Sequence, residues 1–145
     1  MSTFAADNQT DFTNLYSSGS IDDLANILAS DAFRGQTHIR IFLDGFRSQT
    51  SPLPIITHDH LVLLHIEARV DPTPALTSFS IAHLHTIQVV IKSAAPNEEA
   101  IEAALEALFD KTPTLIKVGA EYCSSSILSR KLCQKIIQRE IAMAQ

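Results

Sequence analysis

The sequence predicts a single α+β domain: an antiparallel sheet built on a long β-hairpin at about 55–92, with N-terminal helices, a helix at 97–110, a strand near 114–122 and a C-terminal helix. Two alternating runs carry the hairpin. Leu64, Ile66, Ala68 and Val70 interleave with His65, Glu67 and Arg69, and Phe79, Ile81, Ile87, Val89 and Ile91 lie opposite in phase to Ser80, Thr86, Gln88 and Lys92. A period of two is that of a strand with one wet and one dry face. Asp71-Pro72-Thr73-Pro74 between the runs has turn chemistry. A third observation supplies the helix: Asn97 can cap, and Glu98 and Glu99 suit the positive end of a helix dipole.

Taken in order, residues 1–9 form a loose tail, small and polar apart from Phe4. Phe12, Leu15 and Tyr16 fall at i, i+3 and i+4, which predicts a short helix up to the Ser17-Ser18-Gly19 break. Ser20 with Asp23 three residues on makes a capping arrangement, ahead of a buried stripe of Leu24, Ile27 and Leu28. Ile39, Phe42, Leu43 and Phe46 predict a further helix from Thr37, although the alternation of Ile39, Ile41 and Leu43 also fits a strand. After the hairpin, Ile101, Ala104, Leu105 and Leu108 mark the buried side of the 97–110 helix, and Thr114–Tyr122 reads as a strand interrupted by Gly119. Leu128, Leu132, Ile136 and Met143 form a stripe in the last segment, with Lys131, Lys135 and Arg139 as a basic row at i, i+4.

At 145 residues the chain suits one core, and no linker or internal repeat is evident. With 46% hydrophobic residues it can offset the entropy of folding. No apolar run approaches the roughly 18–20 residues that span a bilayer. No basic segment followed by an apolar core opens the chain, so cytoplasmic residence is the expectation. Cys123 and Cys133 have neither redox-pair nor zinc-site spacing. A net charge of −5 argues against a nucleic-acid partner. That charge is uneven: residues 1–110 hold five basic against fourteen acidic side chains, and residues 111–145 hold six against two.

The candidate chemical groups are the histidines, five of which lie in the predicted hairpin. An antiparallel register setting Leu64 opposite His83 and Val62 opposite His85 would put His58, His60, His83 and His85 on one sheet face. Imidazoles gathered there could ligate a divalent transition metal, with His60 and His85 the candidate acid–base residues. Otherwise no cofactor is indicated. Nucleophile elbows, phosphate loops and dinucleotide fingerprints are absent, which favours a non-enzymatic chain.

The stretch from Leu15 to Leu24, continued by Ser30-Asp31-Ala32-Phe33-Arg34-Gly35 and by 39–46, resembles the opening of nuclear-transport-factor-2-like (SnoaL-type) domains. The resemblance covers residues 12–92. It implies helices leading into a curved sheet that encloses a conical pocket, used by isomerases, cyclases, dehydratases and plain binding proteins. The chain departs from that pattern after Lys92, where Pro96–Asp110 reads as a helix.

Two functions are therefore expected. The first is a non-enzymatic association module joining copies of itself or other protein subunits, the basic row Lys131, Lys135 and Arg139 meeting the acidic row Glu99, Glu102 and Glu106 of another copy. The second is a small-molecule pocket of the NTF2-like kind, isomerase- or cyclase-like, or a His-ligated metal site on the hairpin.

Overall fold

The computed structural model describes residues 12–17, 19–45, 54–92, 96–122 and 128–144. The tail at 1–9, Phe46, Cys123 and the serines that follow it lie outside them. The strands are β1 (Thr13–Ser17), β2 (His38–Leu43), β3 (Ile56–Thr57), β4 (Leu63–Ala68), β5 (Phe79–Ser80), β6 (Thr86–Ile91) and β7 (Lys117–Glu121). The helices are α1 (Ile21–Leu28), α2 (Asp31–Arg34), α3 (Thr73–Ser78), α4 (Glu98–Lys111) and α5 (Arg130–Ala144).

The architecture is α/β, not α+β. Five strands form one parallel sheet in the order β1-β2-β4-β6-β7, and β3 pairs with β5 in a small parallel ribbon. The antiparallel hairpin at 55–92 does not exist, because β4 and β6 run parallel with Leu64 beside Ile87 and His65 beside Gln88. Two parallel neighbours need a crossover between them. It is supplied where a turn is predicted: Asp71 Oδ1 accepts from the Thr73 amide, and α3 begins there with Pro74 in its first turn. Proline suits that position because the first amides of a helix have no partner within it. The expected continuous strand at 79–91 divides into β5, a turn and β6.

The two N-terminal segments also differ from expectation. Residues 13–17 and 38–43 are strands β1 and β2, not helices. In segments of five or six residues an i, i+3, i+4 pattern and an alternating one coincide, and pairing in the sheet decides. The NTF2-like resemblance fails for the same reason: parallel strands with interleaved helices do not make that family's cone.

Several local expectations are met. Ser20 Oγ accepts from the Asp23 amide and Asp23 Oδ2 accepts from the Ser20 amide, a complete capping box at the start of α1. Asn97 Oδ1 accepts from the Ala100 amide at the start of α4, and both β7 and α5 form.

Strand order sets the layering. Each strand of the main sheet lies beside the one before it, always stepping the same way. With right-handed crossovers, constant stepping puts every connection on one face. Burial agrees. Leu15, Ile41, Ile66, Val89 and Ala120 form one row across the sheet, and Ile39, Leu64 and Ile87 stand in the next. They pack under Ile21, Leu24 and Leu28 of α1, Leu76 of α3, Leu105 and Leu108 of α4 and Leu132 of α5. The opposite face has no helix over it among the described residues.

This stepping hides a repeat. Leu61-x-x-Leu64-x-Ile66, Leu84-x-x-Ile87-x-Val89 and Leu115-x-x-Val118-x-Ala120 occupy equivalent places in the sheet. Their backbones bond alike at strand entry. The amides of Val62 and Leu63 donate to Thr37 O, those of His85 and Thr86 to Val62 O, and those of Ile116 and Lys117 to His85 O. The strand exits match as well, Asp44, Arg69 and Lys92 donating to Ser17, Leu43 and Ala68. Thr13, Ile39, Leu64, Ile87 and Val118 stand side by side, 26, 25, 23 and 31 residues apart along the chain.

Candidate functional site

The uncovered sheet face is a surface to which all five strands of the main sheet contribute. Alternation puts every second strand residue there, in rows running across the sheet. The central row is Asn14, Arg40, His65, Gln88 and Gly119; toward the strand ends lie Tyr16, Phe42, Glu67, Val90 and Glu121. Strand β1 makes its corner aromatic: the Tyr16 and Phe42 rings stack with centroids 4.7 Å apart, and Tyr16 is 70% exposed. Phe12 caps the other end, its ring edge-on to His38 and His65 and beneath the Arg40 guanidinium at 4.8 Å.

Arg40 is the electrostatic centre of this face. It forms no ion pair with a described residue, and its Nε is buried without a hydrogen-bond partner. Burial holds the His65 imidazole below its ordinary pKa, and the adjacent Arg40 charge lowers it further against the opposing pull of Glu67 and Glu121. A neutral imidazole can both donate and accept hydrogen bonds. At the strand ends Glu67 meets Lys92 at 3.8 Å and Asp44 meets Arg69 at 3.6 Å, both exposed pairs of modest strength. Gly119 leaves room for Gln88, whose Oε1 would lie 2.1 Å from a Cβ at that position.

The histidines singled out above lie off this face. His58 and His60 follow β3, and His83 and His85 lie in the connection from β5 to β6, none of them within a strand of the main sheet. The register that gathered all four on one sheet face is replaced by the parallel one. His58 is buried with both ring nitrogens engaged, Nδ1 accepting from the His60 amide and Nε2 bonded to Phe33 O. It is a clamp between the β3 exit and α2. The His58 and His60 rings sit edge-on with centroids 6.5 Å apart, and His85 Nδ1 shares a hydrogen bond with Thr86 Oγ1 at 2.7 Å. Among the described residues no group of three or more His, Cys, Asp or Glu side chains is placed to hold a metal.

The charged rows of the last two helices face each other inside the chain. Lys135 Nζ bonds Glu106 Oε2 at 2.8 Å and Asp110 Oδ1 at 2.9 Å, Lys131 reaches Glu106 at 3.4 Å, and Glu102 accepts the Ser129 amide. The Lys135 hydrogen bond holds the Glu106 carboxyl below the usual range. Arg139 donates to Phe109, Thr112 and Leu115 carbonyls and lies over the Phe109 ring at 3.6 Å. Glu99 stays exposed at the start of α4.

Sequence reading found β4's wet side, with His65 and Glu67, but missed Arg40 and the aromatic pair Tyr16 and Phe42. Once 13–17 and 38–43 are strands, alternation brings all three to one face. The Leu-led pattern that recurs at 61–66, 84–89 and 115–120 was the available signal. No helix among the described residues is long and apolar enough to cross a membrane. No family model, curated protein or solved structure gives a significant match to this chain.

Proposed function

We propose that this chain is a non-enzymatic protein-association module of solenoid build, which binds a partner polypeptide on its uncovered sheet face. One observation carries the reading: among the described residues, the five-stranded parallel sheet is covered by helices on one side only. Parallel sheets ordinarily have both faces covered, except in solenoids, where the bare face serves for binding. Three of the four strand intervals, and the Leu-x-x-aliphatic-x-aliphatic pattern of β4, β6 and, with Val118 and Ala120, β7, resemble leucine-rich-repeat units, which use 20–29 residues each. Only the last interval exceeds that length, and the asparagine usual after the strand is replaced by Arg69 and Lys92.

The partner chemistry follows from the face. Arg40 offers a guanidinium that pairs with no described charge, over the Phe12 ring and on the same sheet face as the Tyr16–Phe42 stack, so the favoured segment carries a carboxylate flanked by apolar or aromatic side chains. Selection of displayed random peptides on the wild-type protein tests this. Acidic, aromatic-containing peptides should be enriched and should lose binding to Arg40→Glu and to Tyr16→Ser. No enrichment, or peptides that bind Arg40→Glu equally well, would sink the proposal.

A further inference from the structure

The sheet ends at β7, and among the described residues no strand pairs with its outer edge. An exposed edge offers a row of unmade hydrogen bonds, which proteins commonly guard with charge. Here the charges are symmetric. β7 reads Lys117-Val118-Gly119-Ala120-Glu121, with the cation and the anion equidistant from the glycine. Both are exposed on the uncovered face, and neither pairs with a described charge.

The last helix, α5, also leaves apolar side chains bare. α5 runs alongside α4, held by the Glu102, Glu106, Asp110 and Phe109 contacts to Ser129, Lys131, Lys135 and Arg139. About half a turn round α5 from Lys135 and Arg139 lie Cys133, Ile137 and Ile141, one stripe at i, i+4, i+8. Ile137 is 53% and Ile141 54% exposed, two bare isoleucines on a side that also carries the exposed Arg130, Gln134 and Glu140.

We infer that a second copy of this chain docks on the β7 edge and the outer face of α5, by antiparallel β7–β7 pairing about a two-fold axis through Gly119. A strand paired antiparallel with its own copy about Gly119 sets Lys117 opposite Glu121 of the copy, and the reverse, on the same sheet face. Cross-strand pairs of opposite charge stabilise, and like charges directly opposite destabilise. Val118 then opposes Ala120, and the bare Ile137 and Ile141 of α5 are the apolar side chains left to add to the contact. An isologous contact of this kind closes after two copies, giving one ten-stranded sheet. The charges that repel unrelated edges thus fit this one. The other edge has no such symmetry: β1 is Thr-Asn-Leu-Tyr-Ser, and Asp22 and Asn26 are the exposed residues of α1.

Charge exchange at β7 is the test, read by sedimentation velocity across the micromolar range with circular dichroism as the folding check. The wild type should be dimeric. Lys117→Glu places like charges opposite each other twice, as does Glu121→Lys, and each should weaken the dimer roughly ten-fold or more. Mixing the two single variants should restore a one-to-one heterodimer, and the double exchange should restore the homodimer. Ile137→Glu, on an already exposed position, should weaken association without the rescue. A wild type that stays monomeric, single variants that dimerise as the wild type does, or a mixture that fails to reassociate would each overturn the inference. The dimer is read by mass and by charge complementation at β7, whereas the peptide-binding reading is judged on Arg40→Glu and Tyr16→Ser, so the two proposals stand or fall separately.

Discussion

His65 takes its chemistry from its place in the central row, where burial first and Arg40 second hold its imidazole below the ordinary value of 6.5. The unfolded chain therefore takes up this proton at a higher pH than the native state does. Stability from the neutral form is complete above about pH 6.5 and declines as pH falls from there through the lowered native value. The urea midpoint should drop over that window, and His65→Gln should flatten the drop; an unchanged profile would remove His65 from the acid response. Ser20→Ala removes one half of the capping box and should cost about 1 kcal/mol, seen as a lower thermal midpoint. Features of this kind were legible in the sequence. Ser20 with Asp23, and Asn97 with Ala100, satisfy amides within three residues, so no knowledge of the fold is needed. The histidines were not legible, because their neighbours depend on strand direction.

Among the elements, α5 is held to α4 by two unequal devices. Lys135 makes ion pairs that are still in reach of water, and Lys135→Ala should lower the urea midpoint by less than Arg139→Ala does. Arg139→Ala strips the donor from the Phe109, Thr112 and Leu115 carbonyls and should cost about 1–3 kcal/mol, with Arg139→Lys recovering only part. Equal effects from the two alanines would contradict that ranking. The Glu106 carboxyl, lowered by Lys135, adds stability present above its ordinary range and lost as pH falls through the native value. Elements were well read where they are long: α4 and α5, at 14 and 15 residues, give the helical period room to show. Short strands hid themselves. Residues 13–17 and 38–43 fit both periods, and alternation in 63–68 and 86–91 reports a strand and its wet side but not its direction.

For the whole molecule, successive strands in successive places mean that each unit leans only on its neighbours. Stability should then behave as a sum of local and nearest-neighbour contributions. Leu115→Ala, at the β7 end, should raise hydrogen exchange in β7 and α5 while β2 and β4 stay protected; Ile66→Ala, in the middle, should lower protection throughout, by about 2–5 kcal/mol. Uniform loss in both variants would mean one indivisible core. The repeat behind this organisation was present in the sequence at Leu61, Leu84 and Leu115, but its unequal intervals dilute it, and only the shared hydrogen bonds to Thr37, Val62 and His85 make it plain.

Stepwise strand order also bears on how the chain is born. Every partner that a main-sheet strand needs on its inner side has already left the ribosome, since β2 follows β1, β4 follows β2, and so on to β7. Loop closure therefore never spans more than about one unit, and its entropy grows only slowly with length. A sheet of this kind can be laid down in the order of synthesis, each new strand docking on a template that is already in place.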